Sequence, residues 1–248
     1  MNRSVIITGG SRGIGAATAI LAARKGYEVC VNFLSNEKAA LKVVDHIIRN
    51  GGKAIALQAD VSSESEVANM FRTVDSSMSP LWGLVNNAGI LETQMRFEDM
   101  KTDRWERILK SNVMSCFHCS KEAIRRLSAK HGGAGGSIVN VGSIASLSGS
   151  PGEYVDYAAA KGAVDSLTRG LSRELACEGI RVNAVRPAFI YTDIHASGGE
   201  PGRVDRIKDL IPMKRGGQPE EVAEAIVWLL SDEASYCTGT FIDLAGGR

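Results

Sequence analysis

The chain has 248 residues, 44% of them apolar, which suits one large α/β domain or two small ones. Its 29 basic and 28 acidic residues leave a formal net charge of +1, which argues against nucleic acid or an anionic membrane as the main partner. No apolar run approaches the ~20 residues of a membrane span, and Met1-Asn2-Arg3-Ser4 passes straight into a strand, leaving no room for a secretory signal. A soluble cytoplasmic protein is expected.

Short β-rich runs alternate with longer helical patterns. The first strand is read over Ser4–Thr8, where Val5-Ile6-Ile7 is the continuous apolar run of a strand covered on both faces. A helix over Ile14–Lys25 follows, then a strand over Glu28–Phe33 and a helix over Glu37–Asn50. Strand Lys53–Gln58, helix Glu64–Ser77 and strand Leu81–Asn86 come next. One long helix is expected over Asp103–Ala129, and the Gly-rich stretch His131–Gly136 leads into strand Gly136–Val141. Helix Val155–Glu178, strand Ile180–Val185, helix Pro219–Ser231 and strand Thr240–Asp243 complete the series. This alternation implies right-handed crossovers and an α/β fold: a three-layer, doubly wound parallel sheet of about seven strands. No Pro/Ser-rich linker divides the chain and no repeat is seen, so residues 1–248 read as one domain.

Two stretches fall outside the alternation. Gly142–Gly152 is a Ser/Gly-rich loop after the fifth strand. Ala188–Lys214 is long for a compact domain, and such segments are usually lids or binding loops. Its charges, Arg203, Asp205, Arg206, Lys208 and Asp209, read as solvent-facing. Ligands of open α/β sheets sit beyond the carboxyl ends of strands, where both stretches lie.

The first strand runs into Thr8-Gly9-Gly10-Ser11-Arg12-Gly13-Ile14-Gly15 and then a helix. Glycines let the backbone approach a ligand closely. The helix N-terminus offers free N–H groups to a pyrophosphate. The spacing is G-x-x-x-G-x-G, not the common G-x-G-x-x-G fingerprint. Gly9, Ser11, Arg12, Gly13, Ile14 and Gly15 are thus candidate dinucleotide contacts. NAD-binding folds usually place an acid at the end of the second strand. Here that strand ends Asn32-Phe33-Leu34-Ser35-Asn36, with no acid before Glu37. Asn32, Phe33, Leu34 and Ser35 are therefore expected at the adenosine ribose, with Arg12 pairing a 2′-phosphate. NADP(H) is favoured over NAD(H).

In this order the marks resemble the single-domain branch of the short-chain dehydrogenase/reductase family, over nearly the whole chain. They are the glycine loop Thr8–Gly15, Asp60-Val61, Asn86-Asn87-Ala88-Gly89, Asn112, Ser143, Tyr157-Ala-Ala-Ala-Lys161, Arg186-Pro187 and Thr192. Ketoacyl-carrier-protein-reductase-like and glucose-dehydrogenase-like members look most similar. The resemblance implies a Rossmann-type fold in which Asp60 and Val61 hold the adenine and Asn87, Ala88 and Gly89 line the cofactor cleft. Pro187, Ile190 and Thr192 would meet the nicotinamide end. It also implies a homo-oligomer, most often a tetramer, built on the helices Asp103–Ala129 and Val155–Glu178 and on the last strand. Two positions depart from the pattern. Ala188 replaces the glycine that usually follows the proline, and Leu34 replaces a basic residue that many NADP users carry.

The chemistry can also be argued from the residues. Hydride transfer to a carbonyl builds negative charge on oxygen, and a proton must arrive. An isolated phenol holds its proton to a pKa of ~10. An ammonium beside it favours phenolate, and on a helix Tyr157 and Lys161 share a face at i and i+4. Ser143 can donate a hydrogen bond to the substrate oxygen, where a preorganised donor matters most. Asn112 is implied by the resemblance to sit behind the lysine in a proton relay. The catalytic set is therefore Asn112, Ser143, Tyr157 and Lys161, and Tyr157 and Lys161 also face the cofactor.

Other reactive residues read as structural. Cys116-Phe117-His118-Cys119 matches C-x-x-C, but it has no second pair to complete a zinc site and lies in a helical segment. No His/Asp/Glu cluster has metal-ligand spacing, so no metal is expected. His195 reads as a loop histidine. The leading function is an NADP(H)-dependent oxidoreductase acting on an alcohol/carbonyl pair of a small molecule. Alternatives are an epimerase or dehydratase on the same fold, or a dinucleotide sensor without turnover.

Overall fold

Alternation along each apolar run decides which layer a side chain joins. In β1 (Ser4–Ile7), Val5 and Ile7 point to one face of the sheet and Ile6 to the other. The computed structural model describes residues 3–248; Met1 and Asn2, part of the expected leader-free start, lie outside the described residues. After β1 come α1 (Gly13–Arg24), β2 (Glu28–Phe33), α2 (Glu37–Arg49), β3 (Lys53–Gln58), α3 (Glu64–Ser77) and β4 (Leu81–Asn86). The middle of the chain forms α4 (Thr102–Leu109), α5 (Ser115–Leu127), β5 (Gly136–Val141), the short α6 (Ala145–Ser148) and α7 (Val155–Leu175). Then follow β6 (Ile180–Pro187), the short α8 (Ile194–Ser197) and α9 (Arg203–Ile207), α10 (Pro219–Leu230) and β7 (Phe241–Leu244).

The seven strands are all parallel, in the order β3-β2-β1-β4-β5-β6-β7. Val5, Ile7, Val31 and Val139 pack beneath α1, α2 and α10. Ile6, Cys30, Leu84 and Ile138 pack beneath α3, α5 and α7. Each such fully buried aliphatic side chain contributes about 1.5–3 kcal/mol. The direction of sheet growth reverses between β1 and β4, and a crevice opens beyond the carboxyl ends of these two strands. Among the described residues no helix is long and apolar enough to cross a membrane.

Two expectations need correction. The helix expected over Asp103–Ala129 is broken by a widened π-type turn, Lys110–Met114, between α4 and α5. No Gly or Pro announces the break. Its cause is tertiary: the Asn112 side chain donates to the Ile108 carbonyl and bonds the Ile90 backbone. The segment 188–214 contains two short helices and an isolated bridge between Ile190 and Gly217. Its Arg203 is buried rather than solvent-facing.

Candidate active site

Loops from the carboxyl ends of β1 to β6 surround a cleft of about 1010 Å³. The glycine loop closes one end. Gly9 has φ +60° and Gly13 φ +52°, backbone that favours glycine, and a Cβ on Gly13 would meet Thr192 Cγ2 at 3.2 Å. Arg12 stands extended before α1 and makes no side-chain cap, so the first-turn amides keep their donors for a ligand. Gly9, Ser11, Arg12, Gly13 and Ile14 all line the cleft, with Arg12 exposed at its rim. Gly15 does not line it. It lies under the loop, where a Cβ would come within 2.4 Å of the Gly9 carbonyl oxygen, so its place in the motif is a close backbone crossing.

The β2 end forms the next stretch of wall. Phe33, Leu34 and Ser35 line the cleft, and Leu34 is exposed. Asn32 also borders it, but its side chain turns inward. Its Oδ1 accepts from Gly9 N at 3.2 Å, and its Nδ2 donates to the Ala59 carbonyl at 3.1 Å. Asn36 Oδ1 accepts from Ala39 N at 3.0 Å and caps α2. Asp60 and Val61 line the cleft from the β3 end, and Asp60 Oδ1 accepts from the Ser62 hydroxyl at 2.7 Å.

A pin at the switch point sets the shape of this half. Thr8 Oγ1 donates to the Val85 carbonyl and accepts from the N–H groups of Asn87 and Ala88, both at 2.9 Å. The Asn87 amide donates to the carbonyls of Thr8 and Gly9. Asn87 therefore ties the β4 loop to the glycine loop, with Ala88 and Gly89 carried beside it on the cleft wall. Thr8 was not among the site residues read from the sequence. A threonine before a glycine loop reads only as the end of a strand.

The β5 and α7 side carries the groups expected from the sequence to react. Lys161 is buried, and its Nζ donates to the Val141 carbonyl at 2.8 Å and lies 5.5 Å from the centre of the Tyr157 ring. Tyr157 and Lys161 both line the cleft. A Cβ on Gly89 would meet Asn112 Oδ1 at 2.4 Å and Lys161 Nζ at 3.6 Å. Only glycine lets these groups converge there. Asn112 itself is fully buried and does not reach the cleft. Its Oδ1 accepts from Ile90 N at 2.9 Å, and its Nδ2 donates to the carbonyls of Ile90 and Ile108, both at 3.1 Å. Its side chain positions the Gly89–Ile90 turn. Ser143 Oγ accepts from Ala145 N at 3.1 Å, while its own proton has only a long 3.5 Å contact to the Pro187 carbonyl. That proton can turn into the cleft.

Pro187, Ala188, Ile190 and Thr192 line the side nearest β6. His195 also lines the cleft and is buried; burial pushes its imidazole pKa down, and its Nε2 bonds the Ile190 carbonyl at 3.0 Å. On α5, Cys116 and Cys119 are buried free thiols held above the usual thiol range by burial.

Behind Tyr157 lies a buried ion pair. Arg104 Nε donates to Asp156 Oδ2 at 2.6 Å, and Asp156 Oδ1 accepts from Tyr157 N at 2.9 Å. Arg104 Nη1 also donates to the Thr93 carbonyl at 2.6 Å. A second polar chain runs from Asn86 through Asn140 to Thr168, joining β4, β5 and α7. The ion pair ties α7 to α4 and to the loop after β4, and the polar chain ties α7 to the sheet. Neither was legible in the sequence, where Arg104 and Asp156 are ordinary charges on two helices.

Comparison with known proteins gives one answer. The sequence pattern of the family described as Enoyl-(Acyl carrier protein) reductase matches residues 9–248. The chain is 62% identical over 243 residues to an uncharacterized oxidoreductase, YgfF, of Escherichia coli K12, covering 98% of each. It is 41% identical over 244 residues to a 3-oxoacyl-[acyl-carrier-protein] reductase of Synechocystis, covering 98% of this chain and 95% of the other. A dehydrogenase/reductase from Sinorhizobium meliloti shares its structure with a TM-score of 0.91 at 28% identity, covering 99% of this chain and 94% of that one. Fold, motif order and relatives agree: the chain belongs to the short-chain dehydrogenase/reductase family of oxidoreductases.

Proposed function

We propose that the protein is an NADP(H)-dependent reductase or dehydrogenase of an alcohol/carbonyl pair, with Tyr157 as the general acid–base. The observation that carries this reading is the buried Lys161 ammonium set beside the Tyr157 ring at the wall of the cleft. The glycine loop fits a dinucleotide because a Cβ at Gly13 would crowd Thr192 and the first-turn amides of α1 have no cap. When bound, the nicotinamide supplies or accepts the hydride. Ser143 orients the substrate oxygen through its free proton. Tyr157 delivers a proton to that oxygen, and the Lys161 charge stabilises the phenolate left behind. The Val141 carbonyl fixes the ammonium. Asn112 holds the wall behind it, and the second lone pair of its Oδ1 leaves it able to join a proton relay there.

Arg12 would bind the 2′-phosphate, with the Ser35 hydroxyl near the β2 end and no carboxylate there to repel it. Arg12→Ala is expected to weaken NADPH about ten-fold or more, the range of a hydrogen bond to a charged group, and NADH far less. Equal losses for both dinucleotides in a fluorescence titration would refute the phosphate role. The reaction itself is tested by following NADPH oxidation against ketones, aldehydes, ketoacyl thioesters and sugars, repeated with NADH. Tight dinucleotide binding without turnover of any of these would overturn it.

The reading extends to the whole chain. Residues 1–248 act as one cytoplasmic domain, with 188–214 as a substrate lid. The protein assembles as a homotetramer, which the exposed Leu109, Met114 and Phe117 along α4, the turn after it and α5 support. Light scattering should give a tetramer mass, and Phe117→Glu should halve it; a monomer in the wild type would remove this part.

A further inference from the structure

Arg203 opens α9 and is only 6% exposed. Its guanidinium stacks on the ring of Tyr154, 4.7 Å away, and lies 5.5 Å from that of Phe189. Its Nη2 donates to the Glu153 carboxylate. Its Nη1 is buried and meets no acceptor among the described residues. Leaving a buried cationic donor unpaired is costly. Arg203, Glu153, Tyr154 and Phe189 all line the same cleft as Ser143 and Tyr157, and hydride chemistry gives none of them a task.

The arrangement is built rather than incidental. Tyr154 is buried, and its hydroxyl donates to the Gly198 carbonyl at 3.2 Å, so the stacking surface is fixed. Glu153 is the looser member of the ion pair, with 32% of its side chain exposed. It can turn toward water while the guanidinium stays in place. A second guanidinium, that of Arg248, lies 5.0 Å from the centre of the Phe189 ring. The substrate end of the cleft thus presents a fixed, half-satisfied planar cation with apolar faces. Such a fork suits a carboxylate better than a neutral oxygen.

We propose that Arg203 determines specificity by binding, through Nη1, a carboxylate carried by the carbonyl substrate. The proposal deepens the reductase reading and rests on it. The competing role for Nη1 is structural, as a partner for the buried and equally unpaired His195 Nδ1.

The test uses levulinate, a ketone bearing a carboxylate, and its methyl ester. Binding of each to the full chain is measured by titration calorimetry, with NADPH turnover followed in parallel. The wild type is expected to bind the acid at least about ten-fold more tightly than the ester, as for a hydrogen bond to a charged group. Arg203→Met should bring that ratio to about one through loss of acid affinity, and Arg203→Lys should keep part of it. Glu153→Gln should raise the ratio, because the guanidinium loses its competing anion. General damage to the lid would not move the two variants in opposite directions. A wild-type ratio near one, failure of both probes to bind, or a preference that survives Arg203→Met would overturn the proposal. An acid preference that depends on Arg203, without turnover of any carbonyl, would instead overturn the reductase reading and leave the carboxylate site standing.

Discussion

Tyr157→Phe is expected to lower kcat by about a hundred-fold or more, within the 10²–10⁴ that a positioned general acid contributes, while dinucleotide affinity stays within a few-fold. The substitution removes only the phenolic oxygen. The ring that lines the cleft remains, and Lys161 keeps its place because its anchor is the Val141 carbonyl rather than the phenol. Steady-state rates at saturating dinucleotide, paired with a fluorescence titration of binding, check both halves. Retention of most of the activity would take the proton away from Tyr157. A parallel collapse of dinucleotide affinity would show that the phenol is a binding group first.

The largest effect on stability should come from Arg104→Met. Arg104 and Asp156 form a buried pair, and Arg104 also holds the Thr93 carbonyl. Removing the guanidinium leaves a carboxylate in the interior with one remaining bond, from Tyr157 N. Breaking one side of a buried pair costs about 3–5 kcal/mol. For a chain of this size that corresponds to a fall in Tm of roughly 6–20 °C. The double variant Arg104→Met/Asp156→Leu should recover part of the loss, because no unpaired charge remains. Thermal unfolding of the two proteins settles the point; an unchanged Tm in Arg104→Met would mean that the pair contributes nothing. The single variant should also lose activity, since the residue after Asp156 is Tyr157.

The layers were legible in the sequence because the signals there are local. Short apolar runs such as Val5-Ile6-Ile7 state their elements within a few residues. The ordered motifs identify the family in the same way, since glycine loops and a Tyr–Lys pair on one helix face are short-range patterns. What was not legible depends on distant contacts. The break at Lys110–Met114 exists because Asn112 bonds Ile90, 22 residues away. Arg203 lies in a polar segment rich in Gly and charge, and reads as exposed. Its burial comes from Tyr154 and Phe189, which no local pattern pairs with it. Gly15 belongs to the glycine motif, yet it works beneath the loop and not on the cleft, a distinction that spacing alone does not make.

The uniformly parallel sheet has a practical consequence. Every strand delivers its chain to the cleft at one end, so every return from helix to strand is made at the other. The turns between α1 and β2 and between α2 and β3 lie at that far end, and side chains added at Gly26 or Gly51 would meet nothing within 4 Å. The molecule thus has a working end and a handling end. A surface linker, a reporter group or an inserted peptide placed at Asn50–Gly51 would leave the cleft and the segment 188–214 open to solution, and a protein immobilised from that turn would present its cleft outward.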